Sequence, residues 1–244
     1  RDTSSAGAYV DSVAPNRERL AEITGVVDSR KSFQDLDVLA RTDGPVEAGK
    51  SELVTAFNVR WPSVREITGV GLLLKSAKPN GGFIIAIPDA DQTPEMISGL
   101  AEGIPANQQF ARRLAESGFT VLVPAVISRE YGPRNNRGRM TTREFLYRSS
   151  YELGRHLIGF EIQKVLALVD WCESRNVPDT RIGVVGYGEG GLIALYSAAL
   201  DTRIDAALVS GYFDSRQDMW SEPVSRNVYS FLDQFGDAEV ASLV

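Results

Sequence analysis

The 244 residues carry 26 Lys and Arg against 32 Asp and Glu, a net charge of −6, and 43% of them are hydrophobic. That is a globular composition, long enough for one sizeable core, and it excludes disorder, collagen and coiled coil. Without a Lys/Arg excess the chain is not built to neutralise a phosphate backbone, so nucleic acid is not an expected partner, and no apolar run approaches the ~20 residues of a membrane span.

The start, Arg1-Asp2-Thr3-Ser4-Ser5, has no Met and no apolar signal core, which predicts a processed or partial chain and leaves its compartment unwritten. Asn16 or Pro15 is expected to open a helix through about Val27, with Leu20, Ile23 and Val27 on one face; residues 1–50 read as a helical and extended N-terminal segment, and 51–244 as the core. Leu53 to Arg60 and Thr68 to Lys75 read as a strand hairpin. Phe83 to Ile87 is a continuous apolar run, a helix is expected from Ala106 to Ser117, and Phe119 to Val123 is a second apolar run. Strand, helix, strand in that order predicts parallel pairing.

A long helix is expected from Thr142 to Arg175, with Ile158, Ile162, Val165, Val169 and Cys172 as its buried stripe. The single cysteine, Cys172, excludes an internal disulfide and reads as a small core hydrophobe. The single histidine, His156, lies one turn after Glu152 on the same expected helix, off the stripe, in a structural role. Strand 181–185, helix 190–200 and strand 205–210 complete an α/β pattern, a mostly parallel sheet covered on both faces.

Arg181-Ile182-Gly183-Val184-Val185-Gly186-Tyr187-Gly188-Glu189-Gly190-Gly191 is a strand entering a helix through a glycine-dense turn. Gly186, Gly188 and Gly191 fit the dinucleotide fingerprint, with Asp214 placed downstream for a ribose; against it, at least two sheet strands precede the turn and little chain follows Ser210. The same turn fits a nucleophile elbow, in which the residue at the tip attacks and the next backbone N–H stabilises the oxyanion.

With this turn, Val169-Asp170-Trp171 before it, and Ala198 to Phe213 after it, the chain resembles the α/β-hydrolase superfamily, in its branch of acetyl xylan esterases and dienelactone hydrolase-like proteins. The resemblance implies an α/β-hydrolase fold with six of the usual eight strands in this chain, no cofactor, and a lean towards a secreted or periplasmic protein. It also puts the family's serine at Gly188, and no histidine follows the turn, so triad ester hydrolysis is not expected. Asp214 remains as a position for the triad acid, and Glu189 is expected to set its carboxylate at a helix N-terminus rather than to attack. The missing strands predict that further chain after Val244, or a partner chain, covers a sheet edge.

Further candidates surround the expected crevice. Asp89 and Asp91 follow the third strand, where ligands of open α/β sheets gather, although Asx residues between prolines also simply make turns. From Arg129 to Arg148 there are six Arg and two Glu, a local +4. Arg129, Arg134, Arg137, Arg139, Arg143 and Arg148 offer forked donors for a carbohydrate carboxylate or another acidic small molecule, or form a solvated loop paired with surface acids. Tyr187 and Tyr212 are candidate sugar-lining aromatics or plain packing residues, and no metal site is expected. The first functional expectation is a carbohydrate-esterase relative without triad hydrolysis; the second is a non-catalytic binding or scaffolding module.

Overall fold

The computed structural model describes residues 1–40, 42, 44–132, 139–175 and 179–244. The apolar run at 83–87 becomes strand β5 (Phe83–Ile87), buried along its whole length, which explains why it lacks a polar alternation. It pairs in parallel with β6 (Thr120–Pro124) on one side and β7 (Ile182–Tyr187) on the other, and β7 pairs in parallel with β8 (Ala206–Ser210). The expected hairpin is β3 (Val54–Pro62) and β4 (Thr68–Ser76), in continuous antiparallel register from Val54–Ser76 to Pro62–Thr68, and β4 joins β6 antiparallel. Two-residue strands β1 (Asp37–Val38) and β2 (Gly49–Lys50) pair with β3. Among the described residues the sheet has eight strands rather than the six expected, the two extra being the short β1 and β2 ahead of the expected six, in the order β1-β3-β4-β6-β5-β7-β8 with β2 beside β3 and no strand after β8.

Alternation along the strands feeds two cores. Leu73, Phe83, Ile85, Ile87 and Leu122 face one side, under α1 (Ala6–Thr24), α5 (Leu157–Ser174) and α6 (Glu189–Leu200). Leu72, Leu74, Ala86, Val121 and Val123 face the other, under α2 (Pro94–Ile97) and α3 (Phe110–Glu116). This is the covered, mostly parallel sheet of an α/β-hydrolase fold, with a helix ahead of it. β8 closes one edge with only β7 as its strand partner among the described residues, and Leu208 on it is 56% exposed.

Several helix boundaries differ from expectation: the helix expected from Ala106 is a 3-10 turn over Ala106–Gln108 followed by α3, and the first helix stops at Thr24, short of Val27, which is exposed and not on its buried face. The first helix begins at Ala6, nine residues before Pro15, because Ser5 caps it by accepting the Ala8 N–H and Val13 extends the buried face of Leu20. Pro15 therefore lies inside α1, which ends at Gly25 in the left-handed region (φ 78°). The long helix is two: α4 (Thr142–Glu152) stops where Gly154 turns left-handed (φ 69°) and its N–H bonds back to the Tyr151 carbonyl, after which α5 starts. His156 consequently sits at the N-terminal boundary of α5 and is buried, rather than one turn along a helix from Glu152. The stripe 158, 162, 165, 169 and 172 is buried as expected, Cys172 included, and burial pushes that thiol's pKa up.

Candidate functional site

The β7–α6 turn is wrapped so tightly that its glycines are steric requirements. A β-carbon on Gly186 would stand 2.0 Å from the Gly190 carbonyl oxygen. Gly188, at the tip, has φ 57° and ψ −118°, a conformation that an L side chain adopts only with strain. Its N–H donates to the Ser210 carbonyl at 2.9 Å, tying the turn to the end of β8.

Asp89 from the β5 end leans over this tip. Its Oδ1 accepts the Glu189 backbone N–H at 2.7 Å and would lie 2.3 Å from a β-carbon built on Gly188. A carboxylate thus fills the space that a side chain at the tip would need, and it accepts the backbone N–H that an elbow directs at an oxyanion. Arg129 clamps it with a fork, Nη1 to Oδ2 at 2.8 Å and Nη2 to Oδ1 at 3.2 Å. Burial opposes ionisation of Asp89, but the hydrogen bonds from Arg129 and from the Glu189 N–H prevail and hold its carboxyl below the usual range.

Glu189 opens α6 as expected, yet its carboxylate is fully buried among three guanidiniums rather than at an open helix end. Arg143 reaches Oε1 at 3.1 Å, while Arg129 and Arg226 reach Oε2 at 2.8 and 3.0 Å. Burial alone would favour the neutral acid; Arg143, Arg226 and Arg129 outweigh it and keep the carboxylate ionised. Arg143 is itself 1% exposed and forks onto Glu161 of α5 at 2.9 and 2.6 Å. From Arg226 the alternation continues through Glu222 to Arg216, and Arg216 forks onto Asp237 at 2.9 and 2.6 Å at the start of α7 (Asp237–Ala241).

Of the expected site residues, the fold brings together Asp89, Asp91, Glu189 and the turn glycines. Asp91 is exposed and accepts Arg129 Nη1 at 2.8 Å. The arginine-rich segment divides. Arg129 and Arg143 turn inward onto the chain's own carboxylates, Arg148 pairs with Glu144 on the surface of α4, and Arg139 is exposed. Arg134 and Arg137 lie outside the described residues.

Asp214 stands apart from the turn: it is exposed, its Oδ1 accepts the Ser215 N–H at 2.7 Å, and its own N–H donates to Asp237. Tyr187 lines a cavity of about 620 Å³ with Phe110, Leu114 and Leu208, whereas Tyr212 is buried beneath the Arg216 guanidinium. His156 is remote from the cluster, and its Nε2 accepts the Tyr229 N–H at 3.2 Å.

Arg226, Glu161, Glu222, Arg216 and Asp237 were not singled out by sequence. Glu161 offered a signal, a carboxylate between Phe160 and Ile162 on an otherwise apolar helix, which a buried face tolerates only with a cation opposite.

Chemically, the centre is occupied by its own ions. Both central carboxylates are ionised and engaged, Gly188 has no side chain, and the α6 N-terminus faces Asp89 where a dinucleotide would need to place a pyrophosphate. No group of three or more His, Cys, Asp or Glu among the described residues could hold a metal ion. No helix among them is long and apolar enough to cross a membrane.

A family model described as the dienelactone hydrolase family matches residues 94–225. No curated protein matches the sequence. Among solved structures, a Bacteroides fragilis protein described as an acetyl xylan esterase superposes with a TM-score of 0.76 at 16% identity, over 97% of this chain and 66% of that one. Acetyl xylan esterases of Paenibacillus sp. and Thermoanaerobacterium sp. superpose with TM-scores of 0.53 and 0.51 at 14% identity, over 98% and 96% of this chain and 77% and 71% of theirs. The chain thus spans about two thirds of the first of these structures. Similarity at this level is similarity of fold.

Proposed function

This chain belongs to the dienelactone hydrolase family, and from that premise we propose that it is a relative of the carbohydrate esterases that does not itself carry out triad ester hydrolysis. The observation that carries this reading is the Asp89 carboxylate, held on the Glu189 N–H and 2.3 Å from where a β-carbon of residue 188 would stand. An acyl carbonyl arriving at the turn meets no attacking oxygen, and its developing oxyanion meets a fixed negative charge in place of a free N–H donor. Nor do the two central carboxylates serve as a base: Asp89 and Glu189 are both held ionised by arginines, and an acid whose pKa is depressed is a poor proton acceptor.

The test is to expose the protein to p-nitrophenyl acetate and to a fluorophosphonate probe that labels activated serines. Rates at the level of the uncatalysed reaction and no labelling are expected. Stoichiometric labelling of any serine in this chain, with turnover, would overturn the proposal.

A second reading, a module that holds a saccharide or acidic small molecule without transforming it, is favoured by a cavity of about 540 Å³ beside the ionic centre. Asn58, Gln92, Thr93 and Ser128 line it with uncharged hydrogen-bonding groups, beside the carboxylate of Glu95. Saturable calorimetric binding of a xylan oligosaccharide, abolished by Gln92→Ala and Ser128→Ala together, would support it; no heat at millimolar sugar would end it.

A further inference from the structure

A separate cleft of about 510 Å³ opens where the end of α1, the α4–α5 junction and the segment at Tyr229 and Ser230 converge. It shares no residue with the ionic centre. Its walls are shaped by three left-handed residues: Gly25 (φ 78°), Gly154 (φ 69°) and the non-glycine Ser230 (φ 62°), whose hydroxyl is tied to Asp233 at 2.6 Å. A non-glycine residue in that conformation is strained, and the surrounding contacts must offset the strain. Two tyrosines flank the opening, Tyr151 at 46% and Tyr229 at 72% exposure.

The unmet hydrogen-bonding capacity of this cleft is one-sided. Because His156 Nε2 accepts the Tyr229 N–H, the neutral imidazole carries its proton on Nδ1, and that buried Nδ1 has no partner. Burial holds His156 in this neutral form. Beside it, Arg155 anchors the Gly25 carbonyl and Asp28 through Nη2, lies over the Phe160 ring, and leaves a buried Nε–H without an acceptor. Both unmet groups are donors, from adjacent residues that line one cleft, and none of the buried side-chain acceptors without a partner lines it. Buried donors without partners are uncommon and ask for an acceptor. The only carboxylate on the wall, Glu22, is engaged by Arg19 at 2.9 Å.

We propose that this cleft binds a small carboxylate carried on a six-membered ring with a flat apolar face. The carboxylate accepts from His156 Nδ1 and Arg155 Nε just beneath the cleft surface. It reaches them by displacing the exposed Tyr151 ring, which closes edge-on over the imidazole with centroids 5.8 Å apart. The ring of the ligand then lies against Tyr229. Two sources share this chemistry, a uronic acid and an aromatic acid.

His156 is the only histidine in the chain, so its imidazole nitrogens are a single reporter in ¹⁵N NMR of the histidine-labelled protein. Titration with sodium glucuronate and with sodium benzoate is expected to give a saturable shift of Nδ1 that leaves the tautomer unchanged. Saturation by glucuronate alone identifies a uronate site, by benzoate alone an aromatic-acid site, and by both the shared chemistry. Tyr229→Ala keeps the backbone N–H that holds His156 and is expected to weaken binding about tenfold through lost ring contact. Arg155→Lys is expected to weaken it comparably. No saturable shift with either salt at millimolar concentration, an equal shift with methyl glucoside, or undiminished binding in Tyr229→Ala would overturn the proposal.

Discussion

Gly188→Ala tests the central geometry through stability. The added β-carbon meets two independent obstacles, the backbone conformation at φ 57° and Asp89 Oδ1 at 2.3 Å. The first costs about 1–2 kcal/mol, as for any L residue held there. The second forces Asp89 off the Glu189 N–H and out of the Arg129 fork; a hydrogen bond to a charged group contributes about 1.5–3 kcal/mol, and partial solvent access places the sum near the lower end, about 2 kcal/mol. Gly188→Ala should therefore destabilise by about 3–4 kcal/mol in urea unfolding. In an Asp89→Ala background only the backbone cost of about 1–2 kcal/mol should remain. A double-mutant cycle measured by the shift in urea midpoint, at unchanged slope, reads the difference directly. If the cost of Gly188→Ala is the same within about 0.5 kcal/mol in both backgrounds, Asp89 does not occupy that space and the account of the centre fails.

Gly154→Ala provides a contrast, because no atom lies within 4 Å of the added carbon there; only the left-handed backbone penalty, about 1 kcal/mol, is expected in the same assay. Arg143→Met strips Glu161 and Glu189 of their buried shared cation and should cost about 3–5 kcal/mol, with much of the loss recovered when Glu161→Leu is added; a loss below about 1 kcal/mol would contradict the burial. The folded pKa values of Asp89 and Glu189 lie below their unfolded values, so their contribution is fully present above the ordinary carboxylate range and is lost as pH falls through the folded values; stability followed from pH 6 to pH 2 should decline on the acid side. His156 adds an earlier acid limb: its folded pKa is lowered, so the unfolded chain takes up its proton first as pH drops below about 6.5, and His156→Gln should flatten that limb.

The architecture was readable wherever burial leaves a pattern. Phe83 to Ile87 announced a central strand because both its faces are covered, and Leu53 to Arg60 with Thr68 to Lys75 announced a hairpin whose strands run one or two residues further at their C-terminal ends, the first starting at Val54. Two-residue strands such as β1 and β2 have no period to read. Gly154 and Pro15 misled for opposite reasons. A glycine within a good apolar repeat is tolerated in sequence, yet here it ends a helix, whereas a proline that usually opens a helix lies inside one.

The centre was legible only in part. Asp89, Asp91 and Glu189 sit at the C-terminal ends of their strands, where the sequence put them, but their arginine partners come from 37 to 60 residues away along the chain. A run rich in arginine reads as a solvated loop or an anion site for something external. That Arg129 and Arg143 spend their forks on internal acids depends on which carboxylates the fold buries, and no local pattern states that.

The alternating chain of charges from Glu161 through Arg143, Glu189, Arg226, Glu222 and Arg216 to Asp237 ties the last segment to the middle of the sheet. Such a series cannot be opened at one end without leaving an uncompensated ion in a nonpolar interior. Residues 211–244 are therefore expected to open together with α6 and not to fray independently. In native-state hydrogen exchange the Val240 amide of α7, bonded to the Gly236 carbonyl, should open at a free energy close to that of the α6 amides, which makes a short helix at the surface one cooperative unit with the core of the fold.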